Sequence, residues 1–173
     1  MPSLFTPRHN CRLCPRLADF RDANAAAHPD WHNGPVESFG GIDAALLIVG
    51  LAPGLKGANR TGRPFTGAYA GDLLYPTLLS FDLATGQYDQ RSDDGLTLID
   101  CRITNAVRCV PPQNKPVGAE IKTCRNFLLS EINNLKQLRV IVALGVVAHS
   151  AVMATFGEKQ SARKFKHCAV HSL

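Results

Sequence analysis

The sequence predicts an α/β fold in which a parallel sheet carries helices on both faces. Three short runs are strand-like, at residues 44–50, 97–107 and 139–144, and the first of them is a continuous apolar run typical of a buried parallel strand. Longer segments with helical spacing of their apolar residues separate these runs. Strands that alternate with helices are typical of βαβ units, in which the connecting helices cover the sheet.

The first half of the chain begins with a helix and continues into a strand. Residues 15–29 are rich in alanine and predict a helix that stops at Pro29. Residues 44–50 predict the first buried strand. Leucines at helical spacing in residues 70–84 predict a second helix, and Pro76 should kink this helix or fall near its start.

The second half repeats the alternation of strand and helix. Residues 97–107 predict a second strand and residues 117–137 a long amphipathic helix. Residues 139–144 predict a third strand, followed by a helix at 146–156. Residues 157–173 break the pattern, since a basic stretch leads into HCAVHSL, which alternates like the start of a strand. We therefore expect residues 1–173 to form a single domain whose C-terminal strand is missing.

Composition and charge suit an ordinary globular domain with a polyanionic partner. Apolar residues make up 45% of the 173 residues and charged residues 19%. No apolar run approaches the length of a membrane span, and residues 1–11 lack the pattern of a signal peptide, so we expect a cytoplasmic, nucleoid-associated protein. The net charge of +5 favours nucleic acid as a partner, although solubility alone would also explain it.

The segment after the first strand, GLAPGLKGANRTGRPFTG at residues 50–67, contains five glycines and two prolines. In parallel sheets, ligands bind beyond the carboxyl ends of the strands. Residues 57–63 resemble a phosphate-binding P-loop, but Arg63 and Pro64 stand where that motif needs Lys and Ser or Thr. The glycine fingerprint of dinucleotide-binding folds is also absent from the sequence. Neither a P-loop NTPase nor a Rossmann dehydrogenase is supported.

This loop offers groups that suit a flat ligand such as a nucleobase. Phe65 follows Pro64, which restricts the backbone and could hold the ring over a base pulled from its stack. Asn59 supplies a donor in the loop, and Asn105, at the end of the second strand, adds an amide that can read a base edge. The alternatives are core packing for Phe65 and a turn-forming role for Asn105.

Four of the six cysteines form a pattern typical of a metal site. Cys11 and Cys14 form a C-x2-C pair, and Cys109 and Cys124 flank a proline-rich loop. A [4Fe–4S] cluster and an all-cysteine zinc site both need four thiolates, and spacing does not decide between them. The alternative is that the cysteines are small buried apolar residues, which we favour for the other two, Cys101 and Cys168.

Three motifs together resemble the type 5 uracil-DNA glycosylases, an iron–sulfur branch of the uracil-DNA glycosylase superfamily. The motifs are GLAPG…GANRTGRPFTG, ITNAVRCVPP and the CRLC…C…C pattern. The related type 4 enzymes carry an acidic residue where this sequence has Leu51. The resemblance implies a three-layer α/β/α sandwich around a short, mostly parallel sheet. It also implies a [4Fe–4S] cluster, with zinc as the alternative, held by Cys11, Cys14, Cys109 and Cys124.

The resemblance implies a hydrolase that acts in base excision repair. Its substrate would be DNA that contains uracil or another deaminated base. The reaction would be hydrolysis of the N-glycosidic bond. The protein would act as a monomer. The base would be flipped into a pocket in which Phe65 stacks and Asn105 reads the base edge. The other substrate-binding residues would be Gly50, Leu51, Ala52, Pro53 and Asn59, and the residues that meet phosphates would include Arg60, Arg63, Lys164 and Lys166.

Two departures from the family pattern concern catalysis. The family carries Asp directly after Phe-Thr-Gly, where this sequence has Ala68, and Asp72 is the nearest later carboxylate. Asp72 is therefore the catalytic candidate, with a surface acid as the alternative. A His-x-Ser motif of the family does not occur up to Leu173. We expect weak or absent glycosylase activity, and the alternative function is a non-catalytic protein that binds uracil or DNA on the same scaffold.

Overall fold

The computed structural model describes residues 4–159 and 161–173, in which three parallel strands form the central sheet. The sheet order is β4-β1-β5, so the first strand of the sequence lies in the middle. The strands are β1 (Leu46–Gly50), β2 (Ala84–Thr85), β3 (Thr97–Leu98), β4 (Cys101–Asn105) and β5 (Val140–Ala143). The helices are α1 (Pro15–Ala27), α2 (Ala58–Thr61), α3 (Tyr69–Ser80), α4 (Gly118–Asn134) and α5 (Val146–Thr155), and Pro112–Asn114 form a 3-10 turn.

The central strand β1 packs against helices on both of its faces. Leu47 and Val49 belong to one apolar cluster with residues of α4 and α5. Ile48 points to the opposite face, where it packs with Tyr75 and Leu78 of α3. Because successive side chains of a strand point to opposite faces, this alternation produces the three layers that the sequence predicts.

The connections that leave β1 and β4 run over opposite faces of the sheet. The chain after β1 passes through α3 on one face, and the chain after β4 passes through α4 on the other. Such an arrangement leaves a crevice at the carboxyl ends of the two strands. The fold therefore places the glycine-rich loop and the segment after Asn105 at the edge where ligands bind in open α/β sheets.

The prediction of a single strand at residues 97–107 is wrong, because this segment forms two separate strands, β3 and β4. Asp100 separates the two with a left-handed φ of 49°. Its carboxylate accepts a hydrogen bond from the Ala45 amide, with 2.7 Å from N to Oδ1. The first part, β3, pairs in antiparallel fashion with β2 in a small second sheet. Only Cys101–Asn105 joins the central sheet.

The other predicted elements end within a few residues of their observed ends. Pro76 lies inside α3 and not near its start. The residues 167–173, which alternate like a strand in the sequence, form no strand in the described part of the chain. None of the helices among the described residues is both long enough and apolar enough to cross a membrane.

A buried cluster of three charged residues joins β4 to α4. Glu131 of α4 has a side chain that is 1% exposed, and its carboxylate binds Arg102 of β4 with 2.7 Å between Nε and Oε1. The second carboxylate oxygen accepts a hydrogen bond from Arg108, which also donates to the carbonyl of Val36. The cluster, named below the Glu131 triad (Arg102, Arg108 and Glu131), thus fixes the strand and its following loop to one helix.

Candidate functional site

The carboxyl ends of β1 and β4 stand side by side, because Gly50 and Asn105 are partners in the strand register. Hydrogen bonds continue this pairing beyond the strands. The Ala106 amide donates to the Gly50 carbonyl at 2.9 Å, and the Val107 amide donates to the Leu51 carbonyl at 3.0 Å. The two segments that follow the strands are therefore held together where the site begins.

Phe65 and Asn105 meet directly above Gly50. A Cβ atom on Gly50 would lie within 3.0 Å of two ring carbons of Phe65 and of the Asn105 Oδ1 atom. Only a glycine leaves room for both side chains at this point. The structure thus brings together the two residues that the sequence singles out for stacking on a base and for reading its edge.

Asn105 is 3% exposed and ends strand β4. Among the side-chain hydrogen bonds of the described residues, none uses its amide group. The amide therefore retains both a donor and an acceptor for a ligand. Burial of such a group normally requires partners, and a ligand that supplies them would be recognised strongly.

Phe65 has a left-handed backbone conformation, with φ at 60°. This conformation is costly for a bulky residue and persists only where its surroundings impose it. The Tyr75 hydroxyl donates to the carbonyl of Pro64, and burial raises the pKa of Tyr75 to about 12, which keeps this donor protonated. On the other side, Gly71 of α3 lies against the Phe65 carbonyl so closely that a Cβ atom would not fit. The backbone on both sides of the ring is thus fixed.

Arg63 anchors the same loop from inside and does not lie on the surface, so the expectation that it meets phosphates is wrong. Its guanidinium binds Asp94 through two hydrogen bonds of 2.8 and 2.7 Å, and its Nε donates to the Thr66 hydroxyl at 2.7 Å. The side chains of Arg63 and Asp94 are 5% and 0% exposed. Arg60, in contrast, is exposed and free to contact a phosphate.

Replacing Asp94 by Asn is expected to destabilise the protein at neutral pH by on the order of 3 kcal/mol, because Arg63 stays buried without its counter-charge. The hydrogen bond from Arg63 holds the pKa of Asp94 well below its ordinary value of 3.8. The charged pair therefore stabilises the fold above that value and loses this contribution as the pH falls below it. Urea unfolding from pH 7 to pH 2 should show the two proteins converging in acid. The matched control is Asp93→Asn, whose side chain is 79% exposed and whose stability should follow the unaltered protein.

The remaining residues predicted to bind substrate lie in the loop that follows β1. Leu51 and Ala52 are half-buried, and Pro53 is buried. Asn59 is fully buried, and its amide nitrogen donates to Asn33 Oδ1 at 3.1 Å while its own Oδ1 has no partner. Asn59 therefore belongs to the interior of the loop, where it connects the loop to the segment before β1.

Neither of the two positions that bear on catalysis offers a free carboxylate beside Phe65 and Asn105. Ala68 is the N-cap residue of α3 and lies next to Gly57. Asp72, in the first turn of α3, is exposed and accepts a hydrogen bond of 2.8 Å from Gln90 Nε2. In the described part of the chain, no hydrogen bond connects Asp72 to Phe65 or Asn105. The position that follows Phe-Thr-Gly is therefore an alanine at the start of α3, and it supplies no carboxylate.

The four cysteines of the predicted metal site line one small cavity between α1, α4 and the loop after β4. They are Cys11, Cys14, Cys109 and Cys124. Cys101 packs in a different cluster with Ile48 and Tyr75, and Cys168 is exposed near the C-terminus. The structure therefore places at one cavity the four cysteines that the sequence pattern assigns to a metal site, and it places the other two elsewhere.

The cavity of the four cysteines is apolar but contains donors to sulfur. The Arg108 amide donates to Cys124 Sγ at 3.3 Å, and Arg21 Nη1 donates to Cys109 Sγ at 3.6 Å. Burial raises the pKa of the Cys109 thiol to about 11 and that of Cys124 to about 12. Within residues 4–159 and 161–173, no three His, Cys, Asp or Glu side chains are arranged so that they could hold a metal ion. The four thiols thus share a cavity without forming such a group.

Comparison with known proteins gives consistent matches over most of the chain. A family model described as the uracil DNA glycosylase superfamily matches residues 37–170. The type-5 uracil-DNA glycosylase of Thermus thermophilus is 43% identical over 94% of this chain and 76% of its own length. The type-5 enzyme of Mycobacterium leprae is 40% identical over 100% of this chain and 79% of its own. A type-4 uracil-DNA glycosylase of Pyrobaculum aerophilum is 34% identical over 87% of this chain and 63% of its own.

Proposed function

Because the chain belongs to the uracil-DNA glycosylase superfamily, we propose that it is a DNA repair glycosylase that removes uracil from DNA. The observation that carries this proposal is the meeting of Phe65 and Asn105 above Gly50, at the carboxyl ends of β1 and β4. A rigid aromatic ring beside an amide with free hydrogen-bonding capacity is a site for a flat, polar base. The reaction is hydrolysis of the N-glycosidic bond.

The target base reaches this site only if its nucleotide is flipped out of the helix. Phe65 then stacks on the base, and the fixed backbone on both sides of the ring keeps the platform in place. The Asn105 amide can donate to a uracil carbonyl and accept from the adjacent ring N–H. Thymine differs from uracil by a methyl group, and cytosine differs from uracil by an exchanged donor and acceptor. The space around the bound base and the Asn105 amide therefore together give the selectivity for uracil.

Bond cleavage leaves negative charge on the departing base and positive charge on the sugar. The Asn105 amide donor stabilises the anionic base, since it is already held in place by strand β4 before the reaction. The sugar must be attacked by water, and a carboxylate would normally orient that water. Ala68 supplies none, so we propose that the chain binds uracil well and cleaves slowly. The same observation favours the second candidate function, a uracil-binding protein without catalysis.

We further propose that Cys11, Cys14, Cys109 and Cys124 hold a [4Fe–4S] cluster, with zinc as the alternative. The chemistry of the donors suits either cofactor, because four thiols line one cavity and no His, Asp or Glu side chain lies among its lining residues, although the thiols are not arranged as a metal-holding group in the described part of the chain. The group would supply a cross-link and no catalytic chemistry. Through Cys109 it would fix the loop that begins at Asn105, and an iron–sulfur cluster would colour the protein brown, whereas zinc would not.

The proposed function is tested by incubating the metal-loaded protein with a duplex that contains one uracil and then cleaving abasic sites with alkali. Slow cleavage of the uracil strand, and none of a thymine duplex, is expected. A hypoxanthine duplex tests the base spectrum. Binding of the uracil strand without any cleavage, even over many hours, would support the non-catalytic alternative. If the uracil strand is not cleaved, and if uracil and thymine strands bind with equal affinity, both candidate functions are wrong.

Replacing Gly50 by Ala is expected to weaken binding of a uracil-containing strand by about tenfold or more, because the new methyl group overlaps Phe65 and Asn105. Fluorescence anisotropy with a labelled oligonucleotide measures the affinity, and thermal unfolding shows whether the variant is folded. Gly54→Ala is the matched control in the same loop, since its methyl group would meet no atom within 4 Å. Equal affinities for the two variants would place the base elsewhere.

A further inference from the structure

Arg21 of α1 is a buried cation next to the four cysteines. It is 3% exposed, its Nη1 donates to Cys109 Sγ at 3.6 Å, and its Nη2 donates to the carbonyl of Cys11 at 3.0 Å. No carboxylate oxygen in the described residues lies within 4.0 Å of its guanidinium. The acceptors that it contacts are therefore a thiol and a peptide carbonyl, neither of which carries a charge when the cysteine is protonated.

The other buried arginines of the described chain all have a carboxylate partner. Arg63 binds Asp94, and both Arg102 and Arg108 bind Glu131. This fold thus neutralises buried guanidinium groups by direct ion pairs, as the cost of an uncompensated buried charge requires. Arg21 departs from that rule, and the groups at its guanidinium belong to two of the four cysteines.

A metal group bound by four cysteine thiolates carries net negative charge. Four thiolates contribute four negative charges, which exceed the two positive charges of either a zinc ion or an oxidised [4Fe–4S] core. Such an anion at the cavity would provide the counter-charge that Arg21 lacks. The geometry is suitable, because the guanidinium reaches the sulfur of one cysteine and the backbone of another at the same time.

We propose that Arg21 is the built-in counter-ion of the four-cysteine group and controls how firmly that group is held and how easily it is reduced. This inference rests on the proposed cluster. The positive charge offsets the negative charge of the bound group, and the second hydrogen bond fixes the segment that carries Cys11. Arg21 touches no substrate and acts only through the cluster.

The test compares three variants purified without oxygen: Arg21→Gln, which keeps hydrogen-bond donors but loses the charge, Arg21→Lys, which keeps the charge, and Arg12→Met. Arg12 lies between Cys11 and Cys14 in sequence, but its side chain is 62% exposed and pairs with Asp22. The measurements are iron and sulfide per chain, the rate of bleaching by a chelator, and the reduction potential by spectroscopic titration.

The Arg21→Gln variant is expected to bleach at least about tenfold faster and to have a lower reduction potential, since the electron then enters a more negative site. Arg21→Lys should keep most of the potential, and Arg12→Met should behave like the unaltered protein. Equal potentials and bleaching rates for Gln and Lys at position 21 would overturn the inference while leaving the cluster in place. An unaltered protein without any bound metal would overturn the cluster as well. If Arg21→Gln does not fold, Arg21→Met takes its place as the uncharged variant: a reduction potential clearly below that of Arg21→Lys supports the inference, and an equal one contradicts it.

Discussion

Replacing Ala68 by Asp is expected to raise the rate of uracil release by at least about a hundredfold, because a positioned general base contributes about 10²- to 10⁴-fold. Ala68 directly follows the loop that carries Phe65 and is the N-cap residue of α3. A carboxylate at this position, where the family resemblance places one, could orient water toward the sugar while the base stays on Phe65. Single-turnover cleavage of a uracil duplex, read out after alkali treatment, measures the gain.

The matched control is Ala68→Asn, since Asp and Asn cap a helix about equally well. Both variants should therefore gain similar stability over Ala68, by about 0.5–2 kcal/mol, and thermal unfolding would show this shared effect. Only Asp can accept a proton from water, so base release should rise in the Asp variant alone. An equal rise with Asn, or no rise with Asp while uracil binding persists, would show that position 68 does not serve catalysis.

The order of the main elements could be predicted from the sequence because short strand-like runs alternate with longer segments whose apolar residues have helical spacing. The division of residues 97–107 could not, since Ile99 and Asp100 do not interrupt the apolar pattern strongly. What breaks the strand is the left-handed φ of Asp100 and the hydrogen bond that its carboxylate accepts from the amide of Ala45, which is far away in sequence. Tertiary contacts of this kind override a local preference and leave no periodic signal.

For the candidate site, the motifs predicted the side chains that meet but not the residues that hold them. Phe65 and Asn105 lie together at Gly50, and the four cysteines share a cavity. Arg63 looked like a surface cation because Asp94, its partner, is distant in sequence and lies among other acidic residues. An interior ion pair cannot be distinguished from two solvated charges when only one of its members lies in a motif.

Glu131 is a different case, because its position in the sequence does indicate a buried ion pair. It lies three residues after Leu128 and seven after Cys124, on the buried face of α4. An acidic residue on the apolar side of a predicted helix indicates a buried partner of opposite charge. Its two partners are arginines of β4 and of the loop that separates Asn105 from Cys109. The Glu131 triad therefore holds the short segment between Asn105 and Cys109, which connects the candidate base site to the cysteine cavity.

Replacing Glu131 by Gln is expected to destabilise the protein by about 3–5 kcal/mol, because Arg102 and Arg108 then remain buried without a counter-charge. Burial alone would raise the pKa of Glu131, but the two guanidinium groups outweigh it and hold that pKa below its ordinary value, so the carboxylate is charged in the folded protein. For a chain of this size the loss corresponds to a fall in Tm on the order of 10 °C. Glu37→Gln, the same change at an exposed position, should leave Tm within about 1 °C.

The way in which the variant fails would show what the triad holds in place. Arg108 lies between Asn105 and Cys109 in sequence, and its amide also donates to Cys124 Sγ. If Glu131 fixes this segment, the Glu131→Gln protein should lose uracil affinity at temperatures well below its own Tm. It should also release the proposed metal group of the four cysteines to a chelator faster at those temperatures. If Glu131 contributes only to global stability, both properties should stay normal until the whole domain unfolds. A fall in Tm without either early loss would thus contradict a role of the triad in positioning the loop.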